Sequence, residues 1–227
     1  GPQHYNRVVS KYAPEFAPDL IIVGFFVNEF FDVAISDDEF RESIGFGRPD
    51  PNTLYHVARM RHTSHLVRRF IYDWLPAQLG RRPTRNGTHL ANLGSFDRSR
   101  RSELEANAED VKVHIASIAE TAQKIGSDLL VVLVPASIQV CEVEDLRYLT
   151  RWSDPTKSER YDLSQPQDLA IDLLEQLGIR YMDLRPALLD APECPYHPRN
   201  MHWTELGHRV VAAAVAEELL ENDWIGE

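Results

Sequence analysis

Polar residues that are suited to acyl-transfer chemistry follow three apolar runs of the chain. Asn28 and Glu29 come directly after DLIIVGFFV, Ser137 follows DLLVVLV, and His202 lies in the loop between IRYMDL and the last predicted helix. Ligands bind beyond the carboxyl ends of parallel strands, so these positions are the first candidates for a site. The Asn28 amide can donate to an oxygen that gains negative charge, and the His202 imidazole can take a proton from a hydroxyl nucleophile.

The elements that must position these residues alternate between helix and strand. Three strands are predicted, each with a helix before it: Gln3–Phe16 then Asp19–Val27, Ser102–Ile125 then Asp128–Val134, and Leu169–Leu177 then Ile179–Leu184. Gly126 and Gly178 act as helix stop signals. Short, continuously apolar strands between helices are typical of strands covered on both faces. The sequence therefore predicts an α/β fold with an open, doubly wound parallel sheet.

The interval 32–101 interrupts this alternation. We interpret residues 1–227 as a single domain in which 32–101 is an insertion or lid, with an amphipathic helix at Leu54–Leu75 and a turn at Asn86-Gly87. The chain has a net charge of −11, which argues against a general nucleic-acid binder, yet residues 41–101 contain 12 arginines and only 4 acidic residues. This segment is either a solvated excursion or a surface for an anionic lipid or glycan.

Two stretches resemble conserved blocks of the SGNH (GDSL-type) hydrolases. PDLIIVGFFVNEFFD is similar to the block that ends in the oxyanion-hole asparagine, and NMHWTELGHRVVAAAVAEEL is similar to the block that contains the catalytic histidine. The resemblance implies a three-layer, flavodoxin-like fold and an esterase or acylhydrolase that uses serine acyl transfer on an acetyl or short acyl ester of a carbohydrate or lipid. It implies Asn28 in the oxyanion hole and His202 as general base. Thr204 would cap the last helix, and His208 would be a packed core histidine.

The chain departs from the family pattern around both blocks. Val27 and Glu29 flank Asn28 where the family has a glycine and an aspartate, and Asn200 stands where an aspartate precedes the catalytic histidine. An amide orients an imidazole but does not stabilise its charged form as a carboxylate does. Either Glu193 or Asp183 replaces that acid, or a backbone carbonyl does, or the site is weak.

The nucleophile is the largest departure, because no Gly-Asp-Ser-type turn occurs in the chain. GPQHY resembles the region around the family's oxyanion-hole glycine, which makes Gly1 a pocket candidate together with Glu29 and Ser137. A Ser137 nucleophile would be a new arrangement. The first strand of the family is also missing, which leaves Leu20–Val27 as an apolar sheet edge. We therefore expect an N-terminal segment or a second chain to complete the sheet.

The expected partner is a small-molecule or glycan ester, with no nucleic acid, no membrane span, no cofactor and no metal. The apolar runs are shorter than the about 20 residues of a spanning helix, and the histidine spacing matches no metal motif. A catalytically impaired binding module, or an O-acetyltransferase with the same site, remains the alternative. Gly1-Pro2 is the pair of residues that protease removal of a tag leaves at the start of a chain. The sequence therefore does not decide the location of the protein, and an exported or cell-envelope location stays open.

Cys141 and Cys194 both follow predicted strands on the same face. A bridge between them would tie the loop that carries His202 to a neighbouring strand end. Since no oxidising compartment is established by the sequence, two unlinked thiols are the slightly favoured expectation.

Overall fold

A computed structural model of the chain describes residues 1–33, 93–146, 159–198, 201–222 and 224. These residues belong to one unit formed by Gly1–Ala34 and Leu93–Glu227. The predicted helix Leu54–Leu75, the Asn86-Gly87 turn and nearly all of the predicted insertion lie outside the described residues, so the interpretation of 32–101 as an insertion or lid stays a prediction.

Three parallel strands form a sheet in the described part of the chain. They are β1 (Leu20–Phe26), β2 (Asp128–Val134) and β3 (Tyr181–Asp183), in the order β1-β2-β3. Leu20 pairs with Asp128, Phe26 pairs with Val134, and Val131 pairs with Tyr181. All three predicted strands are confirmed, with β3 shorter than expected. Because the strands are parallel, their carboxyl ends lie at one edge of the sheet, which we call the carboxyl rim.

Helices precede or follow every strand, as predicted. They are α1 (Pro2–Phe16), α2 (Glu29–Asp32), α3 (Arg101–Ile125), α4 (Gln165–Leu177), α5 (Arg185–Leu189) and α6 (Glu205–Glu221). Gly126 and Gly178 end α3 and α4 at φ values of 73° and 63°, a left-handed conformation that glycine adopts without strain. None of the helices in the described ranges is both long and apolar enough to cross a membrane.

One face of the sheet is covered by α1, α3 and α4. The buried stripe of α3 packs here against alternate residues of β1 and β2, and its members are Leu104, Val111, Ile115, Ile118 and Ala122. This is the stripe that the helical spacing predicted. The i, i+3 and i+4 positions of a helix lie on one side, so the sequence pattern alone fixed which face of α3 is buried.

The opposite face carries α5, α6 and the loop before α6, which makes the domain three-layered. Leu130, Val132 and Leu184 form its centre. The expectation that the first strand is covered on both faces is wrong, because burial alternates along β1 and Ile22 is 47% exposed. Only Leu20 and Phe26 of β1 contribute to this second cluster. β2, by contrast, has four consecutive buried residues.

A buried carboxylate joins the segment before α3 to the segment before α4. Asp97 accepts hydrogen bonds from Ser99 N at 3.0 Å, Ser99 Oγ at 2.7 Å and Arg160 Nε at 2.8 Å. Asp97 and Tyr161 also form an antiparallel bridge. The hydrogen bonds from Arg160 and Ser99 hold the pKa of Asp97 at about 2. Its charged form is therefore the one that the folded state favours.

We expect Asp97→Asn to lower the stability at neutral pH and to flatten its acid dependence. A carboxylate whose pKa falls on folding stabilises the protein above its unfolded pKa of about 4, and this contribution is lost as the pH falls through the folded value of about 2. Urea midpoints measured from pH 7 to pH 2 test this. Glu105→Gln, which removes an exposed ion pair with Arg101, is the control and should change little. Parallel pH profiles for Asp97→Asn and the unmodified protein would contradict the expectation.

Candidate active site

The carboxyl rim brings together the segments that follow β1 and β2. Phe26 and Val134 are paired at the ends of these strands, so Asn28 and Ala136 follow at the same level. Neighbouring strands are about 4.8 Å apart, which puts the two post-strand segments side by side. The predicted residues Asn28 and Ser137 therefore belong to the same rim.

Asn28 is half-buried, and its side chain is oriented by a residue one turn further on. Its Nδ2 donates to Asp32 Oδ2 at 2.7 Å. Its carbonyl oxygen accepts from Phe31 N and Asp32 N, which makes Asn28 the first residue of the turn that continues as α2. Sequence reasoning missed Asp32, although the i, i+4 spacing of an amide and a carboxylate was visible.

Glu29 points into the protein beneath this turn and is only 3% exposed. Its Oε1 accepts from the Tyr5 hydroxyl at 2.6 Å, and its Oε2 lies 3.7 Å from the Gly1 nitrogen. Burial raises the pKa of Glu29, while the Tyr5 hydrogen bond opposes that shift. Burial also raises the pKa of Tyr5, which keeps its hydroxyl protonated as a donor. Gly1, Asn28 and Glu29 are thus neighbours, with Glu29 in a supporting position below the rim.

Ser137 is completely buried at the start of a 3₁₀ turn, Ser137–Gln139. Its carbonyl oxygen accepts from Val140 N and Cys141 N. A substrate does not reach a side chain with no exposed surface, so this geometry speaks against Ser137 as the nucleophile.

A glutamine network that the sequence did not reveal fixes this turn to α4. Gln139 Oε1 accepts from Ala136 N at 2.7 Å, and Gln139 Nε2 donates to Gln167 Oε1 at 2.6 Å and Leu163 O at 2.8 Å. Gln167 is 2% exposed. Each buried amide needs partners, and these contacts supply them.

His202 is exposed and belongs to the segments 196–198 and 201–203, which together we call the His202 hairpin. Tyr196 and Trp203 form an antiparallel bridge, and His197 N donates to His202 O at 2.9 Å. The Tyr196 hydroxyl donates to Pro135 O at 2.5 Å, directly after β2. The hairpin is therefore attached to the carboxyl rim. Arg199 and Asn200 lie outside the described residues, and the role of Asn200 stays a prediction.

A disulfide adds a second attachment, and the expectation of two unlinked thiols is wrong. Cys141 and Cys194 are bonded at an S–S distance of 2.02 Å across a sequence separation of 53. The fold itself brings the loop after β2 next to the loop before the His202 hairpin. Separation along the chain could not reveal this proximity.

The start of α6 confirms one prediction and corrects another. Thr204 Oγ1 accepts from Gly207 N at 3.2 Å, which confirms Thr204 as the helix cap. His208 is exposed, so its assignment to the core is wrong. Its ring and the Trp203 ring are in a T-shaped contact, with ring centroids 5.5 Å apart. The apolar side of α6 turns toward the sheet, and His208 lies off that side.

The described contacts of the two candidates for the missing acid, Asp183 and Glu193, do not include His202. Asp183 accepts from Arg185 N at 2.9 Å and lies 3.1 Å from the Arg185 guanidinium, whereas Glu193 is exposed. Across the described ranges, no group of three or more His, Cys, Asp or Glu side chains lies close enough together to hold a metal ion.

By its fold, the protein is a three-layer α/β domain with polar residues at the carboxyl rim. The comparison with known families is consistent with this fold. Residues 95–227 match the model of a family described as SGNH hydrolase-like domain, acetyltransferase AlgX. The match spans more than half of the chain, and the chain belongs to this SGNH hydrolase-like family. The range includes the His202 hairpin and begins after Asn28. No curated protein and no solved structure matches the chain.

Gly207→Ala should disturb the His202 hairpin. A Cβ at residue 207 would clash with Pro195 O and would lie 2.9 Å from Trp203 Cβ. Because a backbone atom cannot move aside cheaply, we expect a loss of about 1–3 kcal/mol in the free energy of unfolding. Gly24→Ala is the matched control, since a Cβ at residue 24 would have no atom within 4 Å apart from those of its own residue and its two chain neighbours. Denaturant titration compares the two variants, and equal midpoints would show that residue 207 has more room than the structure gives it.

Removal of the Cys141–Cys194 bridge should destabilise the domain by about 2–4 kcal/mol, because it frees a long loop in the unfolded chain. The Cys141→Ser, Cys194→Ser double variant and the reduced unmodified protein should unfold at the same midpoint. Intact mass provides the direct check, since reduction adds about 2 Da through one hydrogen on each sulfur. An unchanged mass after reduction would disprove the bridge.

Proposed function

We propose that this domain carries part of an acyl-transfer site, with His202 as general base and Asn28 as an oxyanion-hole donor. The observation that carries the proposal is the attachment of the His202 hairpin to the end of β2, next to the strand that leads to Asn28. Membership of an SGNH hydrolase-like family supports the same chemistry.

The proposed reaction begins when a serine hydroxyl attacks the carbonyl carbon of an ester. His202 accepts the hydroxyl proton, and the carbonyl oxygen becomes an oxyanion that accepts a hydrogen bond from the Asn28 amide. Collapse of this intermediate breaks the ester bond, and the departing alkoxide takes the proton from His202. Water in a hydrolase, or an acceptor hydroxyl in an O-acetyltransferase, then attacks the acyl-serine while His202 accepts its proton. The bond between the acyl carbon and the serine oxygen breaks, and the serine oxygen takes the proton back from His202.

We propose that the serine is supplied by a strand that pairs with the free edge of β1. Among the described residues, β2 is the one strand that pairs with β1, and it occupies one edge of β1. A parallel strand added there would end at the carboxyl rim, next to Asn28. An N-terminal segment of the same protein or a second chain can supply it, and burial of Ser137 favours such an external nucleophile.

An acetyl or short acyl ester of a carbohydrate or lipid is the substrate class that we propose. The family description names an acetyltransferase, so the acetyl group is the first acyl group to test. The 12 arginines among residues 41–101 favour an anionic or glycan acceptor.

The second candidate function is a binding module that keeps the fold without turnover. Asn200 in the position of the family's aspartate favours it, because an amide does not stabilise an imidazolium. Such a module would bind the ester or glycan with the same rim but would not label with a serine-reactive probe.

His202→Ala should reduce kcat about 100- to 10,000-fold in the full-length protein, because general-base catalysis contributes a factor of this size. The measurements are hydrolysis of 4-nitrophenyl acetate, acetyl transfer to a glycan, and labelling by a fluorophosphonate. His208→Ala is the matched control, since His208 is an exposed histidine six positions further on.

Loss of both turnover and labelling in His202→Ala, with both retained in His208→Ala, supports catalysis. A folded, intact protein that neither turns over an ester nor labels, yet binds glycan, would favour the binding module.

A further inference from the structure

The carboxamide of Asn28 is held by a carboxylate at the other end of a single helical turn. Asn28 precedes α2 and Asp32 is its last residue, so the two side chains lie one turn apart on the same side. The distance between Asn28 Nδ2 and Asp32 Oδ2 is 2.7 Å. Asn28 is half-buried, and this hydrogen bond restricts the rotation of its side chain.

A primary amide has two N–H donors, and a carboxylate can accept from only one of them in this geometry. Once Asp32 holds one hydrogen, the direction of the other is fixed by the plane of the amide. The second N–H of Asn28 then points toward a developing oxyanion without a change in the Asn28 side-chain rotamer.

We propose that Asp32 is a positioning residue for the Asn28 amide, and that α1 holds the turn on which both residues lie. This inference rests on the proposed role of Asn28 in the oxyanion hole. Asp32 would not touch the substrate and would act only through Asn28.

The attachment of α2 to α1 supports this role at both ends of the turn. Gln3 Nε2 donates to Asp32 O at 3.0 Å, and the Tyr5 hydroxyl donates to Glu29 Oε1 at 2.6 Å. Gln3 and Tyr5 both belong to α1, which packs against α3, and Tyr5 and Val9 of α1 pack against the hydrophobic core. The turn is therefore fastened at its first and last residue.

The negative charge of Asp32 and its hydrogen bond to Asn28 would have different effects on catalysis, so substitutions at residue 32 can distinguish them. A carboxylate close to an oxyanion opposes it, and burial already raises the pKa of Asp32. If Asp32 acts by accepting a hydrogen bond, Asp32→Asn should keep its function, because the carboxamide oxygen also accepts. Asp32→Ala removes the acceptor and frees the Asn28 side chain.

The test combines kinetics with a measurement that needs no turnover. In the full-length protein, Asp32→Ala should lower kcat roughly 10- to 100-fold with KM unchanged, because the oxyanion forms only in the transition state. Asp32→Asn should keep kcat within about 3-fold of the unmodified value, because the asparagine oxygen can still accept the hydrogen bond from Asn28. Asp19→Ala removes an exposed carboxylate just before β1 and is the matched control.

The second measurement is the {¹H}–¹⁵N heteronuclear NOE of the Asn28 side-chain amide, assigned from its loss in Asn28→Asp. We expect a rigid amide in the unmodified 227-residue chain and in Asp32→Asn, and a mobile one in Asp32→Ala. A mobile amide in the unmodified chain would overturn the inference without any variant at residue 32, even if Asp32→Ala fails to fold.

The two proposals fail in different ways. A rigid amide that becomes mobile in Asp32→Ala, in a protein without esterase or transferase activity, supports positioning by Asp32 and counts against the proposed function alone. Catalysis that depends on His202 but is insensitive to Asp32→Ala would overturn the positioning role. An Asp32→Asn variant as inactive as Asp32→Ala would also overturn it, since the charge would then be what matters.

Discussion

Seven residues of β1 lie in parallel register with seven residues of β2, from Leu20 beside Asp128 to Phe26 beside Val134. The remaining features depend on this pairing. Because the strands run in the same direction, the chain leaves both at one rim, and Asn28 and Ser137 follow there as neighbours. The same register aligns alternate side chains of the two strands into one apolar surface, which α1, α3 and α4 cover. Without it, neither the rim nor the face that supports it would exist.

The rim residues are held by two independent kinds of attachment. On the β1 side, α1 fastens the turn after Asn28 through hydrogen bonds from Gln3 and Tyr5. On the β2 side, the disulfide and the Tyr196 hydroxyl fasten the His202 hairpin. Irregular segments have few backbone hydrogen bonds of their own, so they keep a fixed geometry only when such contacts offset their conformational entropy. Tyr5 on one side, and Cys141, Cys194 and Tyr196 on the other, belong to the core or pack against it.

The two faces of the sheet are unequal. β2 is buried on both sides, whereas β1 is buried on the face toward α3 and partly open on the face toward α6. α6 is itself only partly covered, since Gly207 is its one buried residue among those described. Among the described residues, β1 has no strand neighbour other than β2, and its face toward α6 is thinly covered. The strand that we propose as the source of the serine would pair with β1 at the edge opposite β2 and end at the carboxyl rim.

The local elements and the family could be predicted from the amino-acid sequence. Apolar runs, helical stripes and the stops at Gly126 and Gly178 located the strands and main helices, because these signals act between residues close in the chain. The same is true of the Thr204 cap. Tertiary structure alone decided the Cys141–Cys194 bridge, the burial of Ser137 and the exposure of His208. Each depends on which segment from elsewhere in the chain packs against the residue. The spacing of residues along the sequence does not show which distant segments become neighbours in the fold.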